Sequence, residues 1–195
     1  MSATRTNPWL ETLASSTPDE ERSGSEKLVV LGPTTPQSGV SAPSADLCLP
    51  QRSRPSTPGI WWLGTHGGAG ESTLASVVPG SQSADHAWPI TSPSARVMLI
   101  ARSNLNGLLS AQRAATDWAS GSLPGVDLVG LLLVEDSPGR SPRGIRDLER
   151  LVGGGVPRVW TLPWVESWRA APASAQGLSP RVRRSLALLP VFPVA

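Results

Sequence analysis

Leu128 to Val134, LVGLLLV, contains no polar side chain. A strand of that kind has no face to offer water, so it must lie inside a sheet that helices cover on both sides, the arrangement of parallel α/β folds. Three other largely apolar runs obey the same constraint: GIWWL at 59–63, RVMLIA at 96–101 and RVWTL at 158–162. Helical patterns separate them, and strands alternating with helices predict βαβ units. The expected fold is therefore α/β, three-layer, with a mostly parallel sheet and 128–134 as its central strand.

Leu105 to Ser120 carries the clearest helical period: Leu108, Ala111, Ala115 and Trp118 recur at i, i+3, i+7 and i+10, which assigns Arg113 and Asp117 to the outer face. Asn104 suits its N-cap. A short helix is expected over 72–78, stopped by Pro79-Gly80. Ser141-Pro142 reads as the N-cap and first residue of another, with Ile145, Leu148 and Val152 on one face and Gly153-Gly154-Gly155 at its end. A last helical stretch falls around 180–188. Residues 79–95, PGSQSADHAWPITSPSA, carry turn residues without periodicity and are read as a loop.

Composition decides where the fold begins. Residues 1–56 are dense in Ser, Thr, Pro and charge, as in SSTPDEERSGSEK, and cannot bury enough apolar area to offset ordering of the chain. They are expected to form a disordered N-terminal tail, leaving 57–195 for the domain. KLVVL at 27–31 is the one apolar run in that tail, a candidate docking strand or partner-binding segment. The formal net charge of +2 is too small an excess to argue for a polyanion partner. A single cysteine, Cys48, excludes an intramolecular disulfide and a Cys-based zinc cluster. MSATRTNPWL has no basic region followed by an apolar one, and no stretch approaches ~18 apolar residues, so a cytoplasmic location without membrane contact is expected.

Gly64 to Leu74, GTHGGAGESTL, joins the first apolar run to the first helix. Its glycine spacing follows the phosphate-cradling pattern G-x-x-x-x-G-K-[ST], in which the Lys reaches the β- and γ-phosphates. Here Glu71 follows the last glycine. The strand, the HGGAGEST turn and the helix start resemble the deviant Walker A loop, K-G-G-x-G-K-[ST]-T, of the partition and division-site ATPases. VMLIARSN, the 105–120 helix, LVGLLLVEDSPGR and RVWTLPWV fill the places of that family's later elements. The loop and the trailing Trp-Pro elements are also similar to an uncharacterised family of high-GC Gram-positive bacteria.

The resemblance covers residues 59 to about 170 and implies a reduced, P-loop NTPase-like fold, with ATP or another nucleotide and Mg²⁺ as candidate ligands. Carried over position by position, it makes Gly67, Gly68 and Gly70 the backbone cradle and Ser72 the Mg²⁺-contacting hydroxyl, with Thr73 beside it. His66 then stands at the signature Lys and Glu71 at the P-loop Lys, so both cations are lost. No apolar run between Thr73 and Arg96 supplies the strand that would end in a Mg²⁺-holding Asp. Opposite charges about 4 Å apart are worth ~4 kcal/mol at an effective dielectric near ~20, so an anion at the cation's place opposes a triphosphate by several kcal/mol. A helix dipole and backbone N–H groups return only a fractional positive charge. Phosphoryl transfer rests on positioning and on neutralising the γ-phosphate, so ordinary hydrolysis is not expected.

Two rescues stay open. Arg102, or Arg140 and Arg143, could reach the loop from the C-terminal edge of the sheet, where such folds bind ligands. Glu71 could instead be a first-turn acid favoured by the dipole. Glu135-Asp136, at the end of the third apolar run, could hold Mg²⁺ or cap the turn before Pro138-Gly139. His66 and His86 lack metal-ligand spacing, and the hydrolase pattern G-x-S-x-G is broken at Leu74. Arg143, Arg146 and Arg150 share a helix face, a candidate nucleic-acid patch diluted by Asp147 and Glu149. Trp160, Trp164 and Trp168 are spaced by four, with Pro163 marking a strand-to-turn transition that places Trp160 in the core and the others at its rim.

These observations favour a non-hydrolysing relative of the partition-type ATPases that acts as a binding or regulatory protein. Its candidate partners are another protein, a second copy of the chain, or nucleic acid. One alternative is a nucleotide-binding protein in which His66, Glu71 and Ser72 work with an arginine. The other is a DNA-associated accessory factor that uses the Arg-bearing helix.

Overall fold

A computed structural model describes residues 32–191. Seven strands run along it: β1 (Gln51–Ser53), β2 (Ile60–Gly64), β3 (Ser81–Ser83), β4 (Trp88–Ile90), β5 (Ala95–Arg102), β6 (Val126–Val134) and β7 (Val159–Leu162). Five helices accompany them: α1 (Glu71–Val77), α2 (Leu105–Ala119), α3 (Arg143–Gly153), α4 (Ser167–Ala170) and α5 (Pro180–Ala187). The main sheet is parallel throughout, in the order β3-β2-β5-β6-β7.

The apolar runs of β2, β5 and β6 are buried on both faces, which is why they form the middle of this sheet, while β7 is half-buried at its edge. Ile60, Trp62, Met98, Ile100, Leu132 and Val134 project to one side and pack on Leu74 of α1 and Val182 of α5. Trp61, Leu63, Val97, Leu99, Leu131 and Leu133 project to the other and meet Leu108, Ala111, Ala115 and Trp118 of α2 and Val152 of α3. The result is three layers, helices on sheet on helices. Each fully buried large side chain, such as Trp62 or Leu131, contributes about 1.5–3 kcal/mol.

Several expectations need correction. The central strand is β5, not β6, which has neighbours on both sides but stands one place off centre. Opposite Val97 and Met98 of β5 the partner on β6 jumps from Leu128 to Gly130, so that Val129 bulges and Gly130 adopts φ +154°. A Cβ at Gly130 would meet the Arg158 carbonyl oxygen, which explains the glycine in an otherwise unbroken apolar run. Asn104 does cap α2, its side chain accepting from the Gly107 N–H at 2.9 Å. Asp117, however, is not on the outer face: it is buried and accepts from the Trp88 indole N–H at 3.0 Å and the Ser122 hydroxyl at 2.8 Å. Helical period alone missed a partner on a distant strand. Helix α3 begins at Arg143, with Pro142 at the cap position and no side-chain cap, so Ser141 does not serve as N-cap.

The stretch 79–95 is not simply a loop. It holds β3, the edge of the main sheet, and β4, which pairs in parallel with β1. Neither shows a two-residue apolar alternation, because both are three residues long and β3 is only half-buried. The pairing of β1 also moves the domain boundary. Of the segment expected to be tail, residues 32–56 lie on the domain: the Gln37 N–H donates to the Ala119 carbonyl at 2.8 Å, and Leu49 and Val40 pack on the α2 side of the core. KLVVL at 27–31 and the rest of 1–31 lie outside the described residues.

Candidate functional site at the C-terminal edge of the sheet

From β2 the chain crosses through α1 to β3 on one side, whereas β5 pairs with β2 on the other and leads into α2 on the opposite layer. The loops after β2 and β5 therefore diverge and open a crevice at the C-terminal ends of the strands, the position at which open α/β sheets bind ligands. His66, Gly67, Gly68, Arg102, Asn104 and Asp136 line an open depression of about 520 Å³ there.

The glycine-rich loop has the backbone its sequence calls for. Gly68 and Gly70 adopt φ +75° and +107°, conformations that favour glycine. The N–H groups of Gly67, Gly68 and Gly70 have no protein acceptor among the described residues. Ser72 is exposed and Thr73 half-exposed, and neither hydroxyl has a hydrogen-bond partner among the described residues.

His66 and Glu71, the two residues that the resemblance sets against cations, are both committed to internal contacts. His66 donates from Nδ1 to the Gly67 carbonyl at 2.8 Å and accepts at Nε2 from the Arg102 backbone N–H at 3.1 Å. A backbone N–H can only donate, so the ring carries its hydrogen on Nδ1. Glu71 is 5% exposed and turns beneath the loop. Its carboxylate accepts from the Gly64 N–H at 3.2 Å, the Ser83 hydroxyl at 3.0 Å and the His86 N–H at 3.3 Å, with His86 Nδ1 also 3.3 Å away. A Cβ on Gly64 would fall 2.8 Å from that carboxylate, so a glycine is required at the end of β2. Glu71 thus turns away from the exposed Ser72 and from His66, and these three side chains do not converge.

The carboxylate is enclosed by a strained turn. Asp85 and His86 both adopt positive φ, +55° and +53°, a conformation disfavoured for residues with a Cβ and held only by surrounding contacts. Arg54 supplies one, at 2.5 Å from Asp85 Oδ2, and this hydrogen bond holds the Asp85 carboxyl below the usual carboxylate range. Reading 79–95 as a loop gave no sign that Ser83 and His86 hydrogen-bond the Glu71 carboxylate. The only available signal was Asp85-His86, residue types enriched at positive φ.

Arg102 is the cation that reaches the loop. Its Nε donates to the Gly68 carbonyl at 3.1 Å and its Nη1 to the Glu135 carbonyl at 3.4 Å, with no carboxylate partner among the described residues. Arg140 and Arg143 do not line the crevice, and Arg143 pairs with Asp147 at 3.7 Å. Glu135 and Asp136 do not act as an acidic pair. Glu135 accepts from the Trp164 N–H at 3.2 Å and pairs with Arg181 at 3.3 Å, tying β6 to the turn after β7 and to α5, whereas Asp136 is exposed in the crevice without an ion-pair partner among the described residues. Among the described residues no group of three His, Cys, Asp or Glu side chains is placed to hold a metal, and Ser72 and Asp136 alone are a poor fit to the Mg²⁺ that the resemblance implies. No helix of the described residues is long and apolar enough to cross a membrane.

The candidate nucleic-acid residues also separate. Arg143 and Arg150 both pair with Asp147, Arg146 donates to the Ser141 carbonyl at 2.5 Å, and Arg181, Arg183 and Arg184 sit on α5, on the opposite layer from α3. Trp160 is half-buried against the α5 side of the core, with Trp164 and Trp168 at its rim around a second cavity.

The fold and crevice define a three-layer α/β protein with an open, parallel sheet and a glycine-rich loop at its topological switch point. Within that class, residues 58–186 match a family of unknown function, DUF6668, and the chain belongs to it. No curated protein and no solved structure gives a significant match.

Proposed function

We propose that this protein is a non-hydrolysing relative of the partition-type P-loop ATPases, serving as a cytoplasmic binding or regulatory protein. The observation that supports this reading is the enclosure of Glu71. At the position where the motif demands a cation for the β- and γ-phosphates, the chain has a carboxylate that hydrogen-bonds three groups of its own fold. The loop keeps the shape of a phosphate cradle while its key position holds β2, α1 and the 83–86 turn together. A scaffold of this kind presents the crevice and its rim to a partner, for which another protein or a second copy is the candidate.

The test is isothermal titration of the purified chain with ATP, ADP, GTP and GDP, with and without Mg²⁺, beside an assay of phosphate release. Neither triphosphate is expected to be hydrolysed. Release of phosphate that disappears in Gly70→Val would overturn the proposal and make Arg102 the compensating cation. Glu71→Lys would not restore a phosphate-binding cation, because its ammonium would be buried against three hydrogen-bond donors.

A further inference from the structure

Beside the crevice a second cavity, of about 280 Å³, lies between α1, the end of β6 and the turn from β7 into α4. We propose that it binds a small anion made of one planar aromatic ring system and one anionic group. The inference rests on the cavity itself and not on kinship with nucleotidases.

Its charged groups are unusual in having no charged partners. Arg102 is held by two carbonyls, and Arg169 lies over the Trp164 ring, 5.5 Å from its centroid; neither meets a carboxylate among the described residues. Asp136, also in the wall, is not within ion-pair distance of either. Two guanidinium groups against one carboxylate leave an excess of one positive charge, in a concavity where field is focused on a ligand. Arginine presents several N–H donors in a fixed plane, the geometry that suits carboxylate and phosphate oxygens.

The apolar part of the wall is already in position. Trp164 is pinned at its backbone N–H by Glu135 and at its indole N–H by Glu166 at 2.7 Å, while the Trp168 indole donates to the Ser174 carbonyl at 3.2 Å. With their N–H groups engaged elsewhere, these indoles offer the cavity ring surface, which stacks on planar ligands. Leu162 and Val134 close the floor. The volume, about 280 Å³, falls just below the ~300–1,000 Å³ typical of small-molecule sites, which suits one aromatic ring system and one charged group rather than a dinucleotide.

An aromatic carboxylic acid and a nucleoside monophosphate share this chemistry, and the experiment separates them. The full chain is titrated calorimetrically, without Mg²⁺, with indole-3-acetate and its neutral amide and with adenosine monophosphate and adenosine. At least one anion is expected to bind, and its neutral counterpart about tenfold more weakly. Binding of indole-3-acetate alone assigns the site to aromatic acids; binding of the monophosphate alone assigns it to nucleotides. Arg169 is exposed, so Arg169→Gln should fold, as checked by thermal unfolding, and should weaken the anion about tenfold while sparing the neutral compound. Trp168→Leu should weaken both members of a pair. The proposal is overturned if neither anion binds at about 1 mM, if anion and neutral compound bind alike, or if folded Arg169→Gln binds as the native chain does. Hydrolysis of ATP would sink the functional reading above and leave this one standing.

Discussion

Replacing Glu71 with Ala tests whether its carboxylate holds the loop from within. Gly64, itself buried, together with Ser83 and His86 would lose the acceptor that now lies 3.0–3.3 Å from each of them. The Ser83 hydroxyl can turn to Asp85 Oδ1, 3.0 Å away, but the Gly64 and His86 N–H groups have no second acceptor among the described residues; at about 1–3 kcal/mol for each enclosed donor left without a partner, these two put the expected loss at roughly 2–6 kcal/mol. An exposed first-turn acid acting only through the helix dipole would lose ~0.3–1 kcal/mol. The two ranges do not overlap, so one measurement decides between them. Urea unfolding of the full chain gives the free energy, and at about 2–4 °C per kcal/mol for a chain of this size the melting temperature should fall by roughly 5–20 °C. Glu71→Gln, which keeps the volume and one acceptor, should fall between Ala and the native protein. Glu71→Lys should be worse than Ala. A loss under ~1 kcal/mol for Ala, or a Lys variant as stable as the native chain, would refute the reasoning.

Gly130→Val should lower stability by at least ~2 kcal/mol in denaturant unfolding, because its Cβ would press on the Arg158 backbone in a conformation that favours glycine. Asp85 has a folded-state pKa depressed by its hydrogen bond to Arg54. Its stabilisation is therefore present above the unfolded value, near ~3.9, and is lost as pH falls through the folded value. The stability difference between native chain and Arg54→Leu should accordingly shrink between about pH 6 and pH 2.5, and since Asp85 is more than half exposed the part that disappears should stay below ~1 kcal/mol. Burial, and secondarily the nearby Asp117 carboxylate, raise the Cys48 thiol pKa. Alkylation by iodoacetamide near neutral pH should be slower than for a free cysteine and should accelerate in Asp117→Asn if that variant stays folded.

The route from sequence to fold was direct wherever burial acts on both faces of a strand. IWWL, VMLIA and LVGLLLV have no charged or hydroxyl side chain to place in water, and VWTL has only Thr161, a pattern that requires a covered, mostly parallel sheet with helices between its strands. Asn104 as a cap, Gly68 and Gly70 at positive φ and the stop at Pro79 were legible for a similar reason: local backbone chemistry determines each of them. Polar edge pieces gave no such signal. Ser81–Ser83 and Gln51–Ser53 become strands only because a neighbouring strand offers them a ladder.

Direction of side chains in space was the other boundary. Glu71 could be read as an acid in a cation's place, but not as one turned inward, since Ser83 and His86 lie in a stretch without periodicity and meet it only after β3 docks beside β2. Asp117 sat on the polar side of a helical wheel and is buried because Trp88, 29 residues earlier, brings an indole N–H to it. Arg102 and Arg169, 67 residues apart in the chain, border one cavity because β5 and the turn after β7 end at the same edge of the sheet. The sequence by itself therefore determined the class of fold, the position of the loop and the kind of residue at its key place, because periodicity and turn chemistry are local. Which groups those residues touch, and whether the crevice and its neighbouring cavity carry charge, was decided only by the tertiary structure, because hydrogen-bond partners and unpaired ions depend on the crossing of distant strands.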